Sequence, residues 1–224
     1  MNEKQMVGEK AVEYIKDGMV VGLGTGSTVY YTIRKLGELV RGGLKIKGVP
    51  TSEQTAALAK EEGIPLVDLK EVDALDIAID GADQVDSNLN LIKGGGGALL
   101  REKIIANAAS SFIVIADSTK LAHKLGTFPL PVEVVQFGVY MTARNIKSLG
   151  CVPKLREKEG QPFITDNGNY ILDCDFKRIE SPAELEVQLN MIPGVVENGL
   201  IVNSASRLIT IENGELSEKE PAER

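Results

Sequence analysis

Two carboxylates, Asp80 and Asp83, follow the apolar alternation of Leu75, Ile77 and Ile79. That alternation predicts a short buried strand, which puts both acids at or just beyond its carboxyl end. Gly81 and Ala82 stand between them, small enough for a ligand to approach the backbone closely. Ligands of open α/β sheets collect at such strand ends, so the pair is suited to binding hydroxyl groups and moving their protons. Further on, Lys93 opens a run of four glycines, Gly94 to Gly97, ahead of a helical pattern beginning near Ala98. Each glycine costs conformational entropy, and nothing structural requires four in a row. Exposed N–H groups of Gly94, Gly95 and Gly96 at a helix N-terminus, beside a lysine, suit an anion or a developing oxyanion.

Glu102 lies just inside that helix, with Ala98, Leu99, Ile105 and Ala106 three and four positions away. Its face is therefore apolar, and burial there would raise its pKa into the range useful for proton transfer near neutral pH. The plain alternative is a solvated glutamate in a charged triplet. A second anion site is legible earlier. The strand pattern Met19–Leu23 runs into Gly24-Thr25-Gly26-Ser27-Thr28 and then into a helix marked by Val29, Ile33, Leu36 and Val40. Thr25, Gly26, Ser27 and Thr28 so form a candidate phosphate cradle at a positive helix end. Lys120 closes Asp117-Ser118-Thr119-Lys120 after another buried strand, Phe112–Ala116, and offers the cradle a cation. Taken singly, the two aspartates could cap a turn, and Lys93 and Lys120 could be solvated.

The cradle is a poor dinucleotide fingerprint. Gly22 and Gly24 fit its first two positions, but Ser27 or Val29 takes the third, and Pro50-Thr51-Ser52 stands where a ribose-binding acid belongs. A nucleotide-binding P-loop is excluded because no Gly-Lys-Ser/Thr follows.

Strands and helices alternate with short connections from Met19 to Ala116, which predicts a doubly wound, mostly parallel sheet with every candidate at a strand carboxyl end. A short strand is expected at Leu66-Val67, and Pro129-Leu130-Pro131 reads as a linker. After it the pattern becomes βαββαβ: strand Val132–Phe137, helix Val139–Leu149, strands Cys151–Leu155 and Tyr170–Cys174, helix Pro182–Asn190 and a strand region Val195–Val202. That is the order of a ferredoxin-like α+β domain. The tail Ser217–Arg224 is expected to fray.

Composition narrows the function. A net charge of −7 over 224 residues, without a basic run, argues against a nucleic-acid partner. No apolar stretch reaches membrane-spanning length and the N-terminal MNEKQMVGEK lacks a signal-peptide core, so no membrane partner and a cytoplasmic location are expected. Cys151 and Cys174 read as reduced thiols, and His123, in a polar setting, as a surface residue. With one histidine, isolated cysteines, and Asp80, Asp83 and Asp86 lacking calcium-loop spacing, neither a metal nor a cofactor is expected.

IDGADQVD at 79–86 followed by IKGGGGALLREKI from 92 resembles the signature segments of the type A ribose-5-phosphate isomerase family. GLGTGST at 22–28, TSEQTA at 51–56, IADSTK at 115–120, PLPVEV and IPGVVENG at 192–199 extend the resemblance, in order, over most of the chain. The resemblance implies an α/β fold, a Rossmann-like doubly wound sheet domain (1–128 and 204–224) plus a smaller ferredoxin-like α+β domain (129–203), with the strand Arg207–Ile211 returning to the first sheet. It also implies interconversion of ribose 5-phosphate and ribulose 5-phosphate through an enediolate, by a homodimer or a dimer of dimers. Carried position by position, Glu102 is the proton shuttle. Lys93 with Gly94, Gly95 and Gly96 stabilises the oxyanion, Asp80 and Asp83 handle hydroxyls and ring opening, and Thr25 to Thr28 with Lys120 hold the phosphate. Two departures are visible: Gln84 replaces the usual glutamate, with a slight change of field near Asp83 expected, and Gly97 replaces an alanine, a conservative change in size. Two other classes stand beside this reading. A sugar-phosphate sensor would need the cradle without Glu102, and an acyl-CoA transferase would use a glutamate as nucleophile on a longer chain.

Overall fold

The structure is a computed structural model that describes residues 2–221. The chain begins with α1 (Glu3–Ala11), capped by the Asn2 side chain, which accepts from the Gln5 N–H. There follow β1 (Val20–Leu23), α2 (Val29–Arg41), β2 (Lys47–Pro50), α3 (Glu53–Glu61), β3 (Ile77–Gly81), β4 (Gln84–Val85), β5 (Leu91–Ile92), α4 (Leu99–Ala108) and β6 (Phe112–Ile115). Next come β7 (Leu130–Val134), α5 (Val139–Lys147), β8 (Val152–Leu155), β9 (Glu157–Lys158), β10 (Gln161–Pro162) and β11 (Tyr170–Asp175). The chain closes with α6 (Pro182–Asn190), β12 (Val195–Asn198), β13 (Leu200–Ile201), β14 (Arg207–Glu212) and β15 (Glu215–Lys219).

The chain divides into two compact units. One takes the chain up to Ala82, Arg101–Leu121 and the chain from Ser204; the other takes Asp83–Leu100 and Ala122–Asn203. The first unit is built on a six-stranded sheet in the order β15-β14-β6-β3-β1-β2, parallel throughout except for the β14–β15 hairpin. The β3 run Ile77–Asp80 and the whole of β6 are buried, as expected of strands covered on both faces. Val7, Ala11, Ile33 and Leu36 from the helices pack with Val21, Leu23, Ile79 and Ile115 from the strands in one core. The cap and stop chemistry is ordinary. Ser52 accepts from Thr55 N–H to start α3, and Gly63 follows its end with φ +75°.

In the second unit a four-stranded antiparallel sheet runs β12-β7-β11-β8. With α5 and α6 this is βαββαβ in the strand order fourth, first, third, second, the ferredoxin-like arrangement. A smaller sheet, β13-β5-β4, belongs to the same unit.

Several expectations are corrected. Leu130 and Pro131 are not a linker: they begin the buried strand β7, with Pro131 opposite Asp173 and its carbonyl accepting from Gly199 N–H at 2.8 Å. Leu66 makes a single bridge to Gly48 and Leu66-Val67 forms no strand. Residues 83–100 and 122–128, expected in the first domain, lie in the second unit, because the β4–β5 hairpin pairs with β13. Ser217 to Lys219 are not frayed but form β15. Glu218 accepts from Tyr14 and from Arg207 (2.6 Å), and these bonds hold its carboxyl below the usual range. The part of the fraying expectation that concerns 222–224 falls outside the described residues.

Candidate functional site

In the first unit β6, β3 and β1 are neighbouring parallel strands, so the loops after them open on one edge of the sheet. Asp80, only 3% exposed, is the penultimate residue of β3 and turns its carboxylate onto the first loop. Its Oδ1 accepts from Thr25 N–H at 3.1 Å and from Gly81 N–H at 2.7 Å. Gly24 makes this possible: a Cβ there would lie 2.2 Å from Asp80 Oδ1. The Thr25 hydroxyl turns to the segment that follows β2. Its Oγ1 joins Thr51 (2.7 Å), Ser52 (2.8 Å) and Thr55 (3.1 Å), and Thr55 in turn donates to Gly24 carbonyl at 2.8 Å. The TSEQT segment thus fastens the back of the loop. Gly26 (φ +121°) and Ser27 are exposed at the tip, and Thr28 precedes α2.

The first turn of α1 binds both flanking loops. Lys4 Nζ donates to Ser27 Oγ at 2.9 Å, while Glu3 accepts from Ser118 N–H (2.8 Å) and Oγ (2.7 Å) in the turn that ends at Lys120. Lys4 thus brings a cation to the loop, and sequence reasoning missed it. No spacing rule links it to a serine 23 residues away.

Glu102 sits in the first turn of α4 and is 4% exposed; Ala98, Leu99, Ile105 and Ala106 around it on the helix are buried, as their spacing predicts. A Cβ on Gly22 would lie 2.5 Å from Ile105, so α4 packs tightly over β1 one turn beyond Glu102. The helix connecting two parallel strands runs against them, which directs its N-terminal turn toward the carboxyl ends.

The second unit holds Asp83, Lys93 and the glycine loop. Asp83 N–H bonds the Ile92 carbonyl at 2.8 Å, and its Oδ2 accepts from Gly95 N–H at 2.7 Å. Lys93 is 2% exposed, with its backbone N–H on the Gly199 carbonyl at 2.8 Å. Gly95 and Gly96 are exposed. The glycines are specific requirements: a Cβ on Gly95 would come 2.4 Å from Asp83 Oδ1, and Gly94 has φ +95°. Gly97, read as a conservative replacement for alanine, has φ +85°, and its Cβ would meet Phe163 at 2.5 Å, so the change is not neutral here. Gln84 turns from Asp83 toward 126–128. Its Oε1 accepts from Gly126 N–H (2.9 Å) and its Nε2 donates to Thr127, a bond a glutamate could not donate.

His123 is exposed and the two cysteines are buried free thiols, as expected. Among the described residues no group of three or more His, Cys, Asp or Glu is gathered for a metal, and no helix is long and apolar enough to cross a membrane.

A parallel α/β sheet with a Gly/Ser/Thr loop before a helix at its carboxyl edge, beside buried carboxylates, defines a class: α/β proteins with the makings of a small-molecule site at the strand ends. The comparisons make it particular. The sequence profile of ribose 5-phosphate isomerase A (phosphoriboisomerase A) matches residues 47–214. Ribose-5-phosphate isomerase A of Bacillus mycoides is 54% identical over 216 residues, covering 96% of this chain and 98% of that one. Ribose-5-phosphate isomerase A 1 of Oceanobacillus iheyensis is 55% identical over 217 residues, covering 95% of this chain and 97% of that one. Among solved structures, a D-ribose-5-phosphate isomerase in complex with phospho-erythronic acid superposes with a TM-score of 0.95 at 44% identity, covering 98% of this chain and 100% of that one. The Plasmodium falciparum ribose 5-phosphate isomerase gives 0.94 at 40%, covering 97% of each. The chain belongs to the ribose-5-phosphate isomerase A family.

Proposed function

We propose that this protein interconverts ribose 5-phosphate and ribulose 5-phosphate, an aldose–ketose isomerisation, by moving one proton between carbons 1 and 2. The observation that carries the reading is Glu102, a carboxylate 4% exposed in the first turn of the α4 helix. Held away from water, it is suited to take the proton as a base and return it as an acid. Lys93 and the N–H groups of the Gly94–Gly96 loop stabilise the enediolate oxygen. Asp80 and Asp83 bind sugar hydroxyls and assist ring opening. Ser27 and Thr28, with Lys4 and Lys120, hold the phosphate, while Thr25 serves through its backbone and by fastening the loop. The scheme calls on no cofactor or metal. That a related isomerase binds phospho-erythronic acid, an acid phosphate, supports the substrate class. Incubation with ribose 5-phosphate, followed by proton NMR, should show ribulose 5-phosphate; no conversion by the folded protein would refute the reading. A cytoplasmic location accords with this metabolic activity.

We also propose that the protein is a homo-oligomer through the second unit. Phe137 (93%), Tyr140 (79%), Met141 and Val135 are exposed within one short segment, and Val187 on α6 and Met191 just after it (77%) add to them. The segments are joined by Val135 N–H to the Gly194 carbonyl at 2.9 Å. Exposed apolar groups concentrated like this mark an interaction surface. α5 carries Arg144 and Lys147 and no acid, whereas α6 carries Glu184 and Glu186 and no base. A two-fold axis that sets α5 of one copy on α6 of another pairs these charges twice, so a second copy is the partner that fits.

A further inference from the structure

We propose that Arg156 is a positioning residue for Asp83, acting through the Gly94–Gly95 peptide. The inference rests on the reading above, in which Asp83 binds substrate hydroxyls. Arg156 Nη1 donates to the Gly94 carbonyl at 2.8 Å, and the N–H on the other side of that same peptide, Gly95 N–H, donates to Asp83 Oδ2 at 2.7 Å. In a trans peptide the two groups point in opposite directions, so one planar unit is held from both sides and carries the guanidinium's pull to the carboxylate. Hydrogen bonds in such a chain polarise one another, so the Gly95 donor is strengthened by the one behind it.

The rest of the guanidinium is arranged to keep Nη1 in place. Nε donates to Asp173 Oδ2 at 3.0 Å and Nη2 to Asp173 Oδ1, a bidentate pair that fixes the plane of the fork. Nη1 also reaches the Gly95 carbonyl at 3.2 Å. The ring of Phe163 lies 5.9 Å from the guanidinium carbon and covers Gly97 at the far end of the loop. The Arg156 side chain is 14% exposed. A surface ion pair would not need this geometry: two successive main-chain carbonyls, a bidentate acid and an aromatic face all converge on one residue. Lysine, with one nitrogen, cannot reproduce the fork.

The test uses the full-length protein labelled with 15N-glycine, in the wild type and in Arg156→Gln, Arg156→Lys and Asp83→Asn, each read by the Gly95 amide proton shift and by kcat and KM for ribose 5-phosphate. In Arg156→Gln the Gly95 amide should move upfield, as its hydrogen bond weakens. kcat should fall about tenfold to a hundredfold while KM changes by less than about threefold. Arg156→Lys should recover only part of both, and in an Asp83→Asn background Arg156→Gln should cost less than about twofold more. An unmoved amide overturns the proposal, as does a moved amide with unchanged kcat, since the contact would then be structural only. If the wild type does not turn over ribose 5-phosphate, the functional reading fails by itself and the amide shift alone decides the Arg156–Asp83 link. If Arg156→Gln does not fold, Arg156→Lys carries the same two readouts.

Discussion

Glu102 is an ordinary residue type in an unusual setting, a glutamate on a helix face that is otherwise alanine, leucine and isoleucine. Its spacing showed an apolar face but left a solvated glutamate open; the structure shows it buried. Glu102→Gln keeps the shape but cannot accept the proton, so kcat should fall by about 100- to 10,000-fold with substrate affinity little changed. Steady-state kinetics with calorimetric binding checks this, and near-normal turnover would remove Glu102 from its role. The phosphate cradle tests differently, because its bonds are remote from the reacting carbons. Ser27→Ala combined with Thr28→Ala should raise KM about tenfold or more and lower kcat less, and Lys4→Met should act in the same direction. Unchanged KM in both would place the phosphate elsewhere. The loop of Ser27 and Thr28 was legible as the turn into a helix, which the structure has at α2; Lys4 and Arg156 were not legible, because their partners are distant in sequence.

At the scale of elements, periodicity served well wherever a segment had one clear apolar face. The helix α6 spans its expected residues, and α5 starts where expected and ends within about two residues of its expected end. It failed where local chemistry and tertiary context disagreed. Two prolines around Leu130 signal a linker, yet Leu130 and Pro131 lie in the central strand of a sheet, where Val132 and Val134 set the burial. The tail, acidic and short, gave no sign of the β14–β15 hairpin, which Tyr14 and Arg207 hold through Glu218. The glycine loop shows the same limit. Sequence marked it as functional, but only the structure shows which glycine each contact requires. Gly97→Ala should lower stability by about 1–3 kcal/mol, since it meets both a positive φ and the Phe163 ring. A thermal midpoint equal to the wild type's would show that the loop yields easily.

At the scale of the molecule, the phosphate binding proposed for a chain of net charge −7 has Lys4, Lys120 and helix ends acting locally, against the overall field. The fold class and the two-part organisation were legible from alternation followed by βαββαβ. The exact division was not, because the chain leaves one unit at Asp83 and rejoins it only at Arg101, guided by strand pairing with β13. Self-association belongs to this scale too. Phe137→Asp with Met141→Asp should convert the oligomer to a monomer in sedimentation velocity, with circular dichroism unchanged; an unaltered sedimentation coefficient would move the interface elsewhere.

The central claim is that a proton, not a hydride, crosses between the two carbons by way of Glu102. A proton resting on a carboxylate can exchange with solvent before it is returned, whereas a transferred hydride cannot. Reaction in deuterium oxide should therefore place deuterium at carbon 1 of ribulose 5-phosphate, and at carbon 2 of ribose 5-phosphate on reversal. Shielding of the acid would make incorporation partial, and the slowed variant Asp83→Asn, whose enediolate lives longer, should then incorporate more. NMR or mass spectrometry of the products reads the result directly: deuterium in the product, rising in Asp83→Asn, is what this account predicts, and none in either protein would contradict it.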